Sequence, residues 1–256
     1  MKPKIAVHKF ASCDGCQLAF LTAGEALLEL ARLVDIVHFA EAGPVAPDAE
    51  VDVAFVEGSV STPQDIDRIQ RVRDNSRFLV TIGACATAGG IQALRNLDEG
   101  NDWVASLYAS PEYIRSLATS DAISRHVKVD LELWGCPVNS HQLLAAVRAL
   151  LFGVTPPVDE EKVCAECKRS GAVCVMVAKG VACMGPVTRT GCGAICPQYG
   201  RGCYACYGPG ENINDGSLGS WLQGLGLSPE AVSRRFRFIN AEAEEFRAAA
   251  DRARGD

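Results

Sequence analysis

Twelve cysteines stand out among 256 residues as the groups best suited to chemistry, and they fall into two sets. Cys13, Cys16, Cys85 and Cys136 are spread through the first half of the chain. Cys164, Cys167, Cys174, Cys183, Cys192, Cys196, Cys203 and Cys206 crowd into one segment with the spacing C-x2-C-x6-C-x8-C-x8-C-x3-C-x6-C-x2-C. Thiolates are soft metal ligands, and four of them complete either a cubane iron–sulfur cluster or a tetrahedral zinc site. Eight late cysteines make two such sites and the four early ones a third, so every cysteine is used. A C-x2-C pair at each end of the late set is also seen in two-cluster ferredoxins. Zinc uses the same pairs, so spacing alone leaves both metals open.

The late segment is unlike the rest of the chain. Between Cys164 and Gly210 lie eight cysteines, nine glycines and three prolines, with no sustained helical or strand period. Such a stretch is either disordered or held by metal. Lys168, Arg169, Lys179, Arg189 and Arg201 face only Glu166, a local balance of +4 in a chain of net charge −6. That positive charge offsets the negative charge of thiolate-bound clusters and helps set their potentials.

The early cysteines need elements that bring them together. Strand patterns cover residues 4–10, 34–40, 51–57, 78–83 and 129–134, several of them short runs rich in Val, Ile and Phe, as buried parallel strands are. Helical periodicity fits residues 17–33, 62–74 and 139–151. This alternation predicts an α/β fold, a flavodoxin-like doubly wound parallel sheet, followed by an irregular cysteine-rich segment. The pattern changes around Pro156–Pro157, which divides the chain into a flavodoxin-like domain at 1–155 and a cysteine-rich domain at 156–256. After Gly210 come a glycine-rich stretch and a helix from Pro229 capped by Ser228. All four early cysteines follow strands, and in a parallel sheet the carboxyl ends share one edge, where ligands bind. Gly83, Gly89, Gly90 and Gly135 would let backbone approach cluster sulfurs closely. Inert buried cysteines are the plain alternative. A thioredoxin-type dithiol at Cys13 and Cys16 is another, but it leaves Cys85 and Cys136 unexplained.

Bulk properties narrow the class. With 48% hydrophobic residues the chain can bury a core without disulfides. A pI near 5.3 and no dominant basic face argue against nucleic acid as a main partner. The start, MKPKIAVHKF, enters a strand pattern with no apolar leader or twin arginine, and no run of eighteen apolar residues predicts a membrane span. These features predict a cytoplasmic protein, where cysteines serve metal or redox chemistry rather than disulfides.

Phe10-Ala11-Ser12-Cys13-Asp14-Gly15-Cys16, Gly83-x-Cys85 with Gly89-Gly90, and Gly135-Cys136-Pro137 resemble the proximal-cluster motif of [NiFe] hydrogenase small subunits and of the related complex I 20 kDa subunit. That complex I relative typically has adjacent cysteines near its start and no eight-cysteine tail. Gly185-Pro186-Val187-Thr188-Arg189-x-Gly191-Cys192-Gly193-Ala194-x-Cys196-Pro197, with Cys203-x2-Cys206-x-Gly208-Pro209, resembles cytosolic sulfhydrogenase delta subunits and coenzyme-F420-reducing hydrogenases. The resemblance implies an oxidoreductase subunit with no catalytic residue of its own. It implies a proximal cluster facing a nickel–iron large subunit, then medial and distal clusters leading to a flavin/NAD(P)-binding or ferredoxin-like partner. Cys164 falls where exported relatives often have a distal histidine, and Cys196 where their medial cluster lacks a ligand, so three [4Fe–4S] clusters are expected. Order along the family pattern assigns Cys164, Cys167, Cys174 and Cys183 to the distal cluster and Cys192, Cys196, Cys203 and Cys206 to the medial one. A relay subunit of a complex I-like dehydrogenase and a zinc-stabilised interaction module are the alternatives.

Other features read as structural. His8, His38, His126 and His141 share no ligand spacing. Glu57, at the end of a strand, reads as a solvated or hydrogen-bonded carboxylate. Arg234, Arg235 and Arg237 read as one solvated helix face, balanced by Glu242, Glu244 and Glu245.

Overall fold

A computed structural model describes residues 2–97, 103–156 and 161–255. Five parallel strands, β1 Lys4–Lys9, β2 Asp35–Phe39, β3 Val51–Glu57, β4 Ser76–Ile82 and β5 Leu131–Leu133, form one sheet in the order β2-β1-β3-β4-β5. This is the flavodoxin-like order, with its reversal between β1 and β3. Both faces of the sheet are covered, and side chains alternate between them. On β3, Val53 and Phe55 join one core with Phe20, Phe39, Val80, Leu133 and Leu143. Ala54 and Val56 join the other, with Ala6, Phe10, Ile69 and Leu79. Phe20 meets Phe39 and Phe55 edge-on at 5.8 and 5.3 Å, a favourable arrangement of the ring quadrupoles.

The helices of this half are α1 Gly15–Leu21, α2 Glu25–Leu33, α3 Pro63–Asp74, α4 Gly83–Ala88, α5 Trp103–Leu107 and α6 Ser140–Leu151. Helix α3 starts on a capping box between Thr62 and Asp65 with Pro63 in its first turn, which satisfies otherwise orphaned N–H groups. The single helix expected over 17–33 is instead two, because Gly24 turns to φ +60° between them. The fifth strand is shorter than its pattern, three residues.

The cysteine-rich segment is less bare than its composition suggests. It carries α7 Val163–Arg169, α8 Val175–Lys179 and α9 Ile195–Gln198, and beyond it lie α10 Asp215–Gly224, α11 Pro229–Phe236 and α12 Glu244–Arg254. Helix α10 occupies part of the stretch read as merely glycine-rich. Ser228 caps α11 as expected, accepting from the Ala231 N–H at 3.2 Å. A separate core of Val163, Met184, Val187, Leu222, Val232, Phe236 and Phe246 joins these pieces. Pro157, on the predicted boundary, lies outside the described residues. Among the described residues no helix is long and apolar enough to cross a membrane.

Candidate iron–sulfur centres

The early cysteines converge at the β1/β3 reversal. Cys13 and Cys16 follow β1, whose exit is tied to β3 by Phe10 N–H donating to Glu57 O at 2.8 Å and by an antiparallel bridge between Ala11 and Ser59. Cys85 lies on α4, directly after β4, and Cys136 follows β5. The last two loops are joined where Ala84 N–H donates to Gly135 O at 2.7 Å. Two of the four glycines, Gly83 and Gly90, leave room for sulfur, whereas Gly89 faces Ala93 and Gly135 faces the Pro137 carbonyl. A Cβ on Gly83 would stand 2.2 Å from Cys16 Sγ, and one on Gly90 2.6 Å from Cys85 Sγ. Both positions also have positive φ, which favours glycine a second time.

Glu57 is the hydrogen-bonded rather than the solvated carboxylate of the two sequence readings, and its partners belong to this site. It is 2% exposed, and its carboxylate accepts from the N–H of Cys16 at 3.0 Å and of Gln17 at 3.3 Å. It thereby anchors the first turn of α1 and holds Cys16 in place. Burial pushes its own pKa up. Its position at the end of β3, level with the cysteine-bearing ends of β1 and β4, was the signal available in the sequence.

Burial raises the thiols too. Cys16 and Cys136 are shifted upward, and Cys85 is pushed up to about 12. For Cys16 and Cys85 the proximity of Cys136 adds to that burial effect. Left alone these groups are neutral thiols, so a cation or cluster is what makes the thiolate set stable, with protons released on binding. This donor chemistry fits an iron–sulfur cluster.

Of the late cysteines, Cys164 and Cys167 sit on α7 and Cys174 occupies the N-cap position of α8. A Cβ on Gly185 would be 3.5 Å from both Cys164 Sγ and Cys183 Sγ. Burial lifts Cys164 to about 11, helped by Cys183, Cys167 and Cys174. In the second quartet, burial lifts Cys206 to about 12, helped by Cys192, Cys136 and Cys196. Burial also raises Cys203, which feels Cys183 and Cys206, and its N–H donates to Cys183 Sγ at 3.2 Å. Cys206 therefore lies beside the early set through Cys136, and Cys203 beside the other quartet through Cys183. A cleft of about 680 Å³ runs past Cys136, Cys192, Cys196 and Cys206.

Glu166 is a second carboxylate that sequence reasoning passed over. From α7 it accepts from the N–H of Gly191 at 3.0 Å and of Ala194 at 3.1 Å, clamping the loop on either side of Cys192. Only its place between Cys164 and Cys167 hinted at this. Among the described residues no three His, Cys, Asp or Glu side chains are gathered tightly enough to hold a single metal ion. Of the histidines, His8 and His38 pack against each other with ring centroids 4.6 Å apart, His126 lies 3.4 Å from Asp121, and His141 lines the cleft past Cys136 and Cys192. The arginine face is balanced differently from expectation, since Arg237 pairs with Asp251, and Glu242 with Arg125 and Arg247.

Known proteins share this layout. The family described as NADH ubiquinone oxidoreductase, 20 kDa subunit, matches residues 13–150. Sulfhydrogenase 2 subunit delta of Pyrococcus furiosus is 31% identical over 234 residues, covering 91% of this chain and 98% of that protein. A subunit of the vhu F420-non-reducing hydrogenase of Methanococcus voltae is 28% identical over 243 residues, 84% of this chain and 85% of that one. A chain of the NAD+-reducing [NiFe]-hydrogenase in its H2-reduced state superposes with a TM-score of 0.57 at 26% identity, over 62% of this chain and 96% of that chain. A chain of the actinobacterial-type NiFe-hydrogenase from Ralstonia eutropha H16 reaches 0.61 at 18% identity, over 88% and 84%, a likeness of fold.

Proposed function

Because the chain belongs to the NADH ubiquinone oxidoreductase 20 kDa subunit family, with the small and delta subunits of [NiFe] hydrogenases, we propose that it relays electrons through three [4Fe–4S] clusters. It is an oxidoreductase subunit. The electrons pass between a nickel–iron site on a separate large subunit and a flavin/NAD(P)-binding or ferredoxin-like partner. What supports this reading is the nearness of Cys206 to Cys136 and of Cys203 to Cys183, which would set three quartets in series. Cys13, Cys16, Cys85 and Cys136 come first, beside the quartet of Cys192, Cys196, Cys203 and Cys206. That quartet in turn adjoins Cys164, Cys167, Cys174 and Cys183.

When bound, the clusters supply one-electron carriers whose potentials depend on their surroundings. The chain supplies their ligands and their placement. Glu57 holds the Cys16 turn, Glu166 holds the Cys192 loop, and Gly83 and Gly90 keep the space beside the sulfurs clear. Residues 1–155 carry the proximal site and 156–256 the medial and distal ones. The proximal edge, where Cys13 is exposed, is the face for the large subunit, and the whole works in the cytoplasm.

Anaerobic purification from the native host tests the reading. The expected product is brown, holds about twelve iron and twelve sulfide per chain, and brings a nickel-containing large subunit with it. Colourless protein with stoichiometric zinc would overturn it.

A further inference from the structure

Tyr207 sits where the loops of two cysteine quartets meet. It follows Cys206, and its ring is 4% exposed. Two glycine backbones flank that ring. A Cβ on Gly135, the residue before Cys136, would stand 3.0 Å from the ring's Cζ. A Cβ on Gly191, the residue before Cys192, would stand 2.8 Å from Cε1. The thiols of Cys192, Cys206 and Cys16 all lie within electrostatic range of its hydroxyl. Tyr207 also lines two spaces, the cleft along Cys136, Cys192, Cys196 and Cys206 and a cavity of about 360 Å³ lined by Trp134, Glu166 and Thr190.

A second aromatic locks the same junction. Trp134, two residues before Cys136, lies under the Arg189 guanidinium at 5.0 Å and against Gly208, where a Cβ would stand 2.2 Å from its ring. Three glycines thus admit two rings across the seam, each glycine or ring next to or near a cysteine. An ordinary core aromatic needs no such clearance in neighbouring backbone.

We propose that the Tyr207 ring is the positioning residue that sets the separation and electronic coupling between the proximal and medial clusters. This rests on the relay reading. The step it serves moves one electron from one cluster to the other, with no bond made or broken and no proton required. A flat, rigid ring packed between both ligand loops holds the two clusters at one distance, which a flexible side chain cannot do.

The test uses the complex isolated anaerobically, with iron content, the spin–spin splitting between reduced proximal and medial clusters, and hydrogen-dependent dye reduction read together. Tyr207→Phe should keep the native splitting and rate, because the ring rather than the hydroxyl is the spacer. Tyr207→Leu should keep its iron yet change the splitting and slow dye reduction. Full iron with native splitting in Tyr207→Leu would overturn the inference alone, as would an altered splitting in Tyr207→Phe. If Tyr207→Leu sheds iron, Tyr207→Trp decides: a shifted splitting supports the spacer and a native one overturns it. Wild-type complex without iron would overturn the relay reading and this inference with it.

Discussion

At Gly83 the backbone has φ +84°, and a methyl group would stand 2.2 Å from the Cys16 sulfur. Neither the backbone nor the thiolate can move far, because α4 is tied to Gly135 and Cys16 to Glu57. Gly83→Ala should therefore cost the proximal cluster specifically, with iron falling by about four per chain while the two tail clusters keep their spectra. Iron analysis with low-temperature EPR reads this out, and a full complement of iron in the variant would contradict it. The same scale shows where sequence reasoning stops. Cys16 announced itself by type and spacing, but Glu57 did not, since a strand-end carboxylate gains its meaning only from the N–H groups that turn toward it.

Short elements carry the sites, and their ends do two jobs. Asn139 caps α6, its side-chain oxygen accepting from the His141 N–H at 2.8 Å, while its amide donates to Gly191 O at 3.0 Å. One residue thus fixes the helix after Cys136 and the loop before Cys192. Asn139→Ala should lose a cap worth about 1 kcal/mol and a bridging hydrogen bond worth about 1 kcal/mol more. A lower thermal midpoint in anaerobic calorimetry is expected, and Asn139→Asp, which keeps the cap and loses the donor, should fall between the two. A midpoint for Asn139→Ala equal to wild type would rule this out. Periodicity found α3 and α6 because each has an apolar stripe, and the Ser228–Pro229 start signal found α11. It ran α1 and α2 together because Gly24 breaks the backbone without interrupting the apolar pattern, and it missed α10 because that helix draws its stability from tertiary packing of Leu218 and Leu222.

Across the whole molecule, the chain's end is bound back to the sheet half. Glu242, nearly buried, pairs with Arg125 at 3.1 Å and Arg247 at 3.6 Å, accepts from Asn96, and its N–H donates to Ala88 O. It fastens the segment before α12 to the α4 region that carries Cys85. Glu242→Ala should leave the Arg125 and Asn96 donors without this acceptor and cost about 1–3 kcal/mol, with Glu242→Gln milder because it keeps the hydrogen bonds. Limited proteolysis should cut the variant's C-terminal segment sooner than the wild type's, and equal resistance would show that the tie is not holding the two halves.

The residues alone determined the cysteine inventory, the parallel sheet and the placement of four cysteines at its carboxyl edge. These follow from local information: side-chain type, C-x2-C spacing, apolar runs and the shared polarity of parallel strands. Only the tertiary structure decided which distant groups face one another. Glu57 against the Cys16 turn, Glu166 across to the Cys192 loop, Tyr207 between Gly135 and Gly191, and Cys203 beside Cys183 all join positions well apart in the chain. No local pattern encodes such contacts, because they are set by how elements distant in the chain pack against one another, and glycines that look like loop punctuation become clearance for a sulfur or a ring.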